Sequence, residues 1–209
     1  MEGSLVALTN AYCTLADVKA ALRVNDDVDD MLIERSIETA SRMIDGYCER
    51  RFFTNGTEVR TYAPKNIYYI DVDDVASATL TLKTSSSLDG VTFDQTWTAA
   101  DFQREPINST VSGIAAPTTR IRAVGSYLFT PFYGETTAQV TAVFGYGTAV
   151  PTEVEHATIL LAARQFKRYD SPTGVLGFGD FGPVRVGSRL DPDVAMILNP
   201  YRRSSVSVA

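Results

Sequence analysis

The sequence predicts an α+β fold: a split α-helical bundle of N- and C-terminal helices, with an inserted antiparallel β-sheet or small β-sandwich. Three observations carry this. Apolar residues recur at helical spacing up to about residue 54, alternate from about 55 to 148, and return to helical spacing from Val150. Neither helical segment can be stable with so polar a back unless it lays its apolar stripe on a partner, so the two ends must meet. No long helix interrupts the middle, which argues against parallel βαβ units. The expected domains are 1–54 with 149–209 as a helical core, and 55–148 as a β-rich insertion.

The elements follow in order. Thr14 is an N-cap, and Asp17 three residues on completes a near capping box for a short helix bearing Leu15, Val18, Ala21 and Leu22. Asn25 and the acidic run Asp26, Asp27, Asp29 and Asp30 break it and start the next, where carboxylates favour the positive end of the helix dipole. The second helix is expected from about Val28 to Arg50, with Ile33, Ile37, Ala40, Ile44 and either Tyr47 or Cys48 as its stripe. Glu34, Arg35, Glu38, Arg42 and Asp45 face elsewhere.

Beyond Asn55 the strand candidates are Glu58–Tyr62, Ile67–Ile70, Ala78–Leu82, Arg120–Val124 and Gln139–Phe144, with a hairpin at Asp89-Gly90 leading into Val91-Thr92-Phe93. Asp71, Asp73 and Asp74 read as a solvated turn after a strand. Pro151 opens a helix ending near Tyr169. Residues 170–189 are rich in glycine and read as a long exposed loop. Asp191 caps a last short helix with Pro192 at its first position, and Asn199-Pro200 ends it.

Composition excludes several classes. A chain of 209 residues holds one substantial core or two small ones. The net charge of −6 argues against a surface that grips nucleic acid throughout, though not against an acidic wall past which DNA slides. The N-terminus lacks a basic stretch followed by a long apolar one, so no signal peptide is expected, and no apolar run is long enough for a membrane span. Cys13 and Cys48 are read as free, buried thiols.

The motifs that suggest chemistry are weak. Gly177 to Gly182 matches G-x-G-x-x-G, but it follows a helix and runs into an extended segment, so no helix N-terminus is expected to meet a pyrophosphate. The acidic run lacks the alternation, glycine and glutamate of a calcium loop. His156, the only histidine, sits early in a helix and reads as a surface residue. No catalytic, cofactor or metal residues are nominated.

The run Tyr12-Cys13-Thr14-Leu15-Ala16-Asp17-Val18-Lys19, then Leu22-Arg23-Val24, the acidic break, Leu32-Ile33, Ala40, Ile44, Tyr47-Cys48, Arg50 and Phe52, resembles the head–tail connector (adaptor) proteins of long-tailed phages. Phe144 to Gly147, Val150-Pro151, Glu153 to Leu161, Lys167 to Tyr169 and Leu198 to Arg202 are similar to those connectors with a β-rich insertion, of the prophage and gene-transfer-particle type. The resemblance implies a structural, non-enzymatic virion protein, placed in the virion neck after assembly in the host cytoplasm. It implies a homo-oligomeric ring, usually of twelve copies, docked under the portal protein, monomeric when free. Such a ring extends the channel for passing double-stranded DNA, receives the stopper or tail-completion protein, and contacts no membrane.

On this reading Glu34, Arg35, Glu38 and Arg42 offer contacts around the ring. Phe178 and Phe181 order against a neighbour, and Tyr201, Arg202 and Arg203 lead a tail toward the portal. A stopper role is the variant within this class. The alternative class is a β-sandwich module binding glycan or protein, with Trp97, Tyr127 and Tyr133 as an exposed aromatic platform.

Overall fold

The computed structural model describes residues 8–108, 110–111, 113–170, 175–177, 183–185 and 191–203. Helices at both ends flank a strand-rich middle, the α+β arrangement that the periodicities predict. The chain divides into two units: Met1–Arg50 with Val150–Ala209, and Arg51–Ala149.

In the helical unit, α1 (Leu15–Leu22) starts at a complete capping box. The Thr14 hydroxyl accepts from the Asp17 N–H at 3.2 Å, and the Asp17 carboxylate accepts from the Thr14 N–H at 3.0 Å. α2 (Asp30–Cys48) begins two residues later than expected, because the Asp26 carboxylate holds the Val28 N–H at 3.2 Å in a turn. The acidic run caps less than expected. Asp29 makes no side-chain cap bond, while Asp27 and Asp30 each grip the Lys19 ammonium at 2.7 Å.

Ile33, Ile37, Ala40 and Ile44 of the predicted stripe are buried, and of the two candidates for its last position Cys48 is buried and Tyr47 only half-buried. At roughly 1.5–3 kcal/mol for each isoleucine, the stripe is the principal stabilising feature of α2. α3 (Thr152–Asp170) packs on α1, on α2 and on α4 (Pro192–Leu198), making it the central helix of the unit. It buries Val154, Ala157, Leu161 and Ala162. Asp191 makes no cap bond and instead pairs with Arg164 of α3 at 3.0 Å, fastening α4 to its neighbour.

The second unit holds two antiparallel sheets. One, in the order β1-β9-β3-β4, is built from β1 (Thr57–Tyr62), β3 (Thr81–Thr84), β4 (Gln95–Thr96) and β9 (Ala138–Val143). The other, in the order β2-β8-β5, is built from β2 (Tyr69–Val75), β5 (Phe102–Glu105) and β8 (Thr118–Ala123). Between β5 and β8 lies a small hairpin, β6 (Thr110–Val111) with β7 (Ile114–Ala115). Val72, Ile70 and Ile121 from one sheet, and Leu82, Val140 and Ala142 from the other, share a single buried cluster. This is the inserted small sandwich.

Three local expectations are corrected. Asp71, Asp73 and Asp74 lie inside β2, not in a solvated turn. Arginines of other strands make this tolerable: Asp71 pairs with its cross-strand neighbour Arg120 at 2.8 Å, and Asp73 with Arg60 of the other sheet at 2.7 Å. The Asp89-Gly90 hairpin is a longer loop over 85–94, and Val91-Thr92-Phe93 form no strand. The Asp89 carboxylate captures the N–H groups of Val91 at 3.0 Å and Thr92 at 2.8 Å, which withdraws them from any ladder. Within the loop expected at 170–189, β10 (Val175–Gly177) pairs with β11 (Pro183–Arg185).

Candidate interaction surfaces

The groups that could carry chemistry are placed for structure. Cys13 and Cys48 are free and buried, and loss of solvation pushes both thiols up to about 12. His156 lies exposed on α3. Among the described residues no group of three His, Cys, Asp or Glu side chains is placed to hold a metal ion. Among the described residues no helix is long and apolar enough to cross a membrane. The segment holding the G-x-G-x-x-G match begins at the end of β10, and the next helix, α4, starts only at Pro192. No described helix opens on it.

The charged back of α2 divides on inspection. Arg35 is exposed. Glu38 accepts from the Thr9 N–H at 3.4 Å, so it secures the chain before α1. Arg42 serves the same end: its guanidinium donates to the Asn10 carbonyl at 2.8 Å, pairs with Asp45 at 3.2 Å and lies 5.5 Å above the Tyr12 ring. The Tyr12 hydroxyl in turn bonds Asp45. Glu34 is a correction: it is only 6% exposed, with Oε2 lacking a hydrogen-bond partner among the described residues. Its position beside Ile33 and Ile37 rotates it inward, so it does not belong to the exposed face.

The C-terminal trio is likewise split. Tyr201 is 1% exposed, and its hydroxyl donates to Glu153 at 2.9 Å, making it a core residue. Arg203 donates its backbone N–H to the Cys48 carbonyl at 2.8 Å, while Arg202 is exposed over the Tyr47 ring at 5.0 Å. Phe178 and Phe181 lie outside the described residues.

The aromatic platform of the binding-module reading does not form. Trp97 is buried, stacked on Phe129 at 4.7 Å and tilted against Tyr127 at 5.5 Å, and its indole N–H donates to the Thr84 hydroxyl at 2.9 Å. Only Tyr133 stands out, 96% exposed on a left-handed backbone with φ 44°. Around it the loops carry further exposed apolar residues, including Val91, Val124 and Leu128. Sequence reading missed this cluster because its members are scattered over three loops. It identifies Tyr133 as an exposed aromatic but takes Val91 and Val124 for strand residues.

Ion pairs line the core-facing side of β1, where Glu58 stands opposite Ala142 and Arg60 opposite Val140. Arg51 and Arg60 both meet Glu58, at 2.7 and 2.6 Å, and Arg60 lies 4.2 Å over the Phe144 ring. Together the two guanidiniums, Arg60 first, hold the Glu58 carboxyl below its ordinary range. Asp89 is held well below that range by the Thr92 N–H and hydroxyl and the Val91 N–H.

Residues 12–103 match the family model of phage gp6-like head-tail connector proteins. The resemblance carried by Tyr12 to Phe52 is thereby borne out, and the match runs on into the β unit, past the boundary expected at residue 54. No curated protein matches the chain. Among solved structures, the fold is similar to a chain of the neck of the empty gene transfer agent (GTA) particle, computed with C6 symmetry, with a TM-score of 0.57 and 18% identity, covering 99% of this chain and 97% of that one. It is also similar to a chain of the neck of the native GTA particle, computed with C12 symmetry, at TM-score 0.57 and 17% identity over 100% and 98% of the two chains. A chain from the virion of the native particle has TM-score 0.54 and 17% identity over 100% and 99%.

Proposed function

We propose that this chain is a structural protein of the head–tail neck of a phage-like particle of the gene-transfer-agent kind: a connector that forms a ring under the portal. The observation that carries the reading is the coincidence of two independent likenesses. The family match covers 12–103, and the fold likeness to neck chains of GTA particles spans the whole chain. The C12 symmetry of one such neck supports a ring of twelve copies. The ring extends the DNA channel and receives the stopper or tail-completion protein. A net charge of −6 suits a channel wall past which phosphates move without retention.

Within this reading Arg35, Arg42 and Arg202 are exposed candidates for contacts between subunits or with the portal. The test is electron microscopy of the protein mixed with its cognate portal. A stacked ring on the portal is the expected result, and absence of binding to portal or neck partners overturns the reading.

A further inference from the structure

One end of the β unit is apolar beyond what folding requires. The strand registers bring the loops over 63–68, 85–94, 98–101 and 124–137 to the same end. Tyr69 faces Arg122 and Ala123 faces Phe102 in one sheet, while Tyr62, Ala138, Thr84 and Gln95 are cross-strand neighbours in the other. Residues Arg51 and Ala149, where the chain enters and leaves the unit, adjoin the opposite strand ends.

On this loop end Tyr68, Val91, Val124, Leu128, Phe132 and Tyr133 are all exposed. Hydrogen bonds tie the loops into one surface: Ala123 N–H to the Tyr68 carbonyl at 2.8 Å, Phe129 N–H to the Ile67 carbonyl at 3.0 Å, and the Thr136 hydroxyl to the Gly90 carbonyl at 3.4 Å. Phe132 and Tyr133 pack edge to face at 4.8 Å. Phe129, which lies between Leu128 and the buried Trp97, anchors the surface to the core. Such a patch, rigid before it meets anything, loses little entropy on binding.

Charge decides what it meets. The same loops carry Asp89, Asp94, Asp101 and Glu135 against one cation, Lys65. Asp89, Asp94 and Glu135 are exposed, and the Asp101 carbonyl accepts from the Val124 N–H at 3.0 Å at the patch border. Two such ends facing each other would bring carboxylates together, which disfavours a second copy. An anionic membrane or DNA is disfavoured for the same reason.

We infer that this end docks a different protein, whose contact face pairs an apolar pocket for Tyr133 and Val91 with flanking arginines or lysines. That this partner is another protein of the particle rests on the neck reading above. The aromatic at the tip is the anchor and the carboxylates set orientation.

The experiment replaces Tyr133 with the photo-crosslinking amino acid p-benzoylphenylalanine in the full chain. Irradiation is done in producing cells and in purified particles, and the adduct is mapped by mass spectrometry. The expected adduct lies on a different particle protein, beside basic residues. Adding Glu135→Lys lowers its yield about tenfold, while Trp97 fluorescence shows the fold retained. Adducts only with the chain itself, lipid or nucleic acid, or none at all, overturn the inference. A chain that enters the particle neck without the expected adduct fails this inference alone. One absent from the particle fails the neck reading.

Discussion

The two units dispose of their large side chains in opposite ways. In the helical unit several aromatic and charged residues that look available are turned to internal ties: Tyr12 and Tyr201 are buried, and Arg42 and Glu38 hold the chain before α1. Its exposed apolar residues include Val28 before α2, Met31 and Met43 on α2, Leu160 and Tyr169 on α3, and Met196 on α4. In the β unit the aromatic core around Trp97 is closed, arginine–carboxylate pairs flank β1 and β2, and six exposed apolar side chains share one end. A charged helix back is therefore a poorer guide to a docking face than an apolar residue that a turn holds outward.

The largest effects test whether the units are separate in stability as well as in structure. Ile37 and Ile121 are fully buried, one in each unit. Truncating either to alanine is expected to cost about 2–5 kcal/mol. Trp97, the sole tryptophan, reports the β unit, whereas circular dichroism at helical wavelengths reports the other. Ile37→Ala is expected to shift the urea midpoint of the dichroism and leave the fluorescence midpoint in place, and Ile121→Ala the reverse. Coincident shifts of both signals in both variants would break the comparison.

Next in size is Thr84→Val, which keeps shape but strands the indole N–H of Trp97. The expected loss is about 1–3 kcal/mol, read by the fluorescence transition alone.

Acid comes third. Glu58 is held below its ordinary pKa by Arg60 and Arg51, so the folded state binds its proton more weakly than the unfolded chain. The stability this supplies is present above the unfolded carboxyl value of about 4.5 and is lost as pH falls through the lower folded value. With all three side chains roughly a quarter exposed, the contribution is about 1 kcal/mol after screening. Glu58→Gln is expected to flatten the fall in β-unit stability between about pH 5 and pH 2, measured by urea titration of the fluorescence at each pH. An unchanged slope would remove the Glu58 network from the account.

The helical frame was legible because caps and periodicity are local. Thr14 with Asp17, the Ile33–Ile37–Ile44 stripe and Pro151 each announce themselves within a few residues. What escaped depends on partners distant in sequence. Asp71 and Asp73 read as a turn until Arg120 and Arg60 arrive from other strands. Glu34 reads as surface until neighbouring helices close over it. β5 lacks a clear alternation, being half-buried along its whole length. The candidate patch was hardest to see, since its members are brought together only by strand registers between residues 67 and 137.

The smallest expected effect is the most pointed. Tyr133 sits at φ 44°, a left-handed conformation that costs an ordinary side chain about 1 kcal/mol, and its ring is almost wholly in water. Folding gains little from a tyrosine there. Asparagine tolerates that backbone better, so Tyr133→Asn is expected to leave the fluorescence transition unchanged or raise it by up to about 1 kcal/mol. Phe132 loses only an exposed edge-to-face contact in the exchange. A clear destabilisation would mean that Tyr133 belongs to the fold after all, and the contrast between the units would narrow. A neutral or stabilising result leaves an aromatic residue held outward at a backbone cost, as a docking anchor is and a core residue is not.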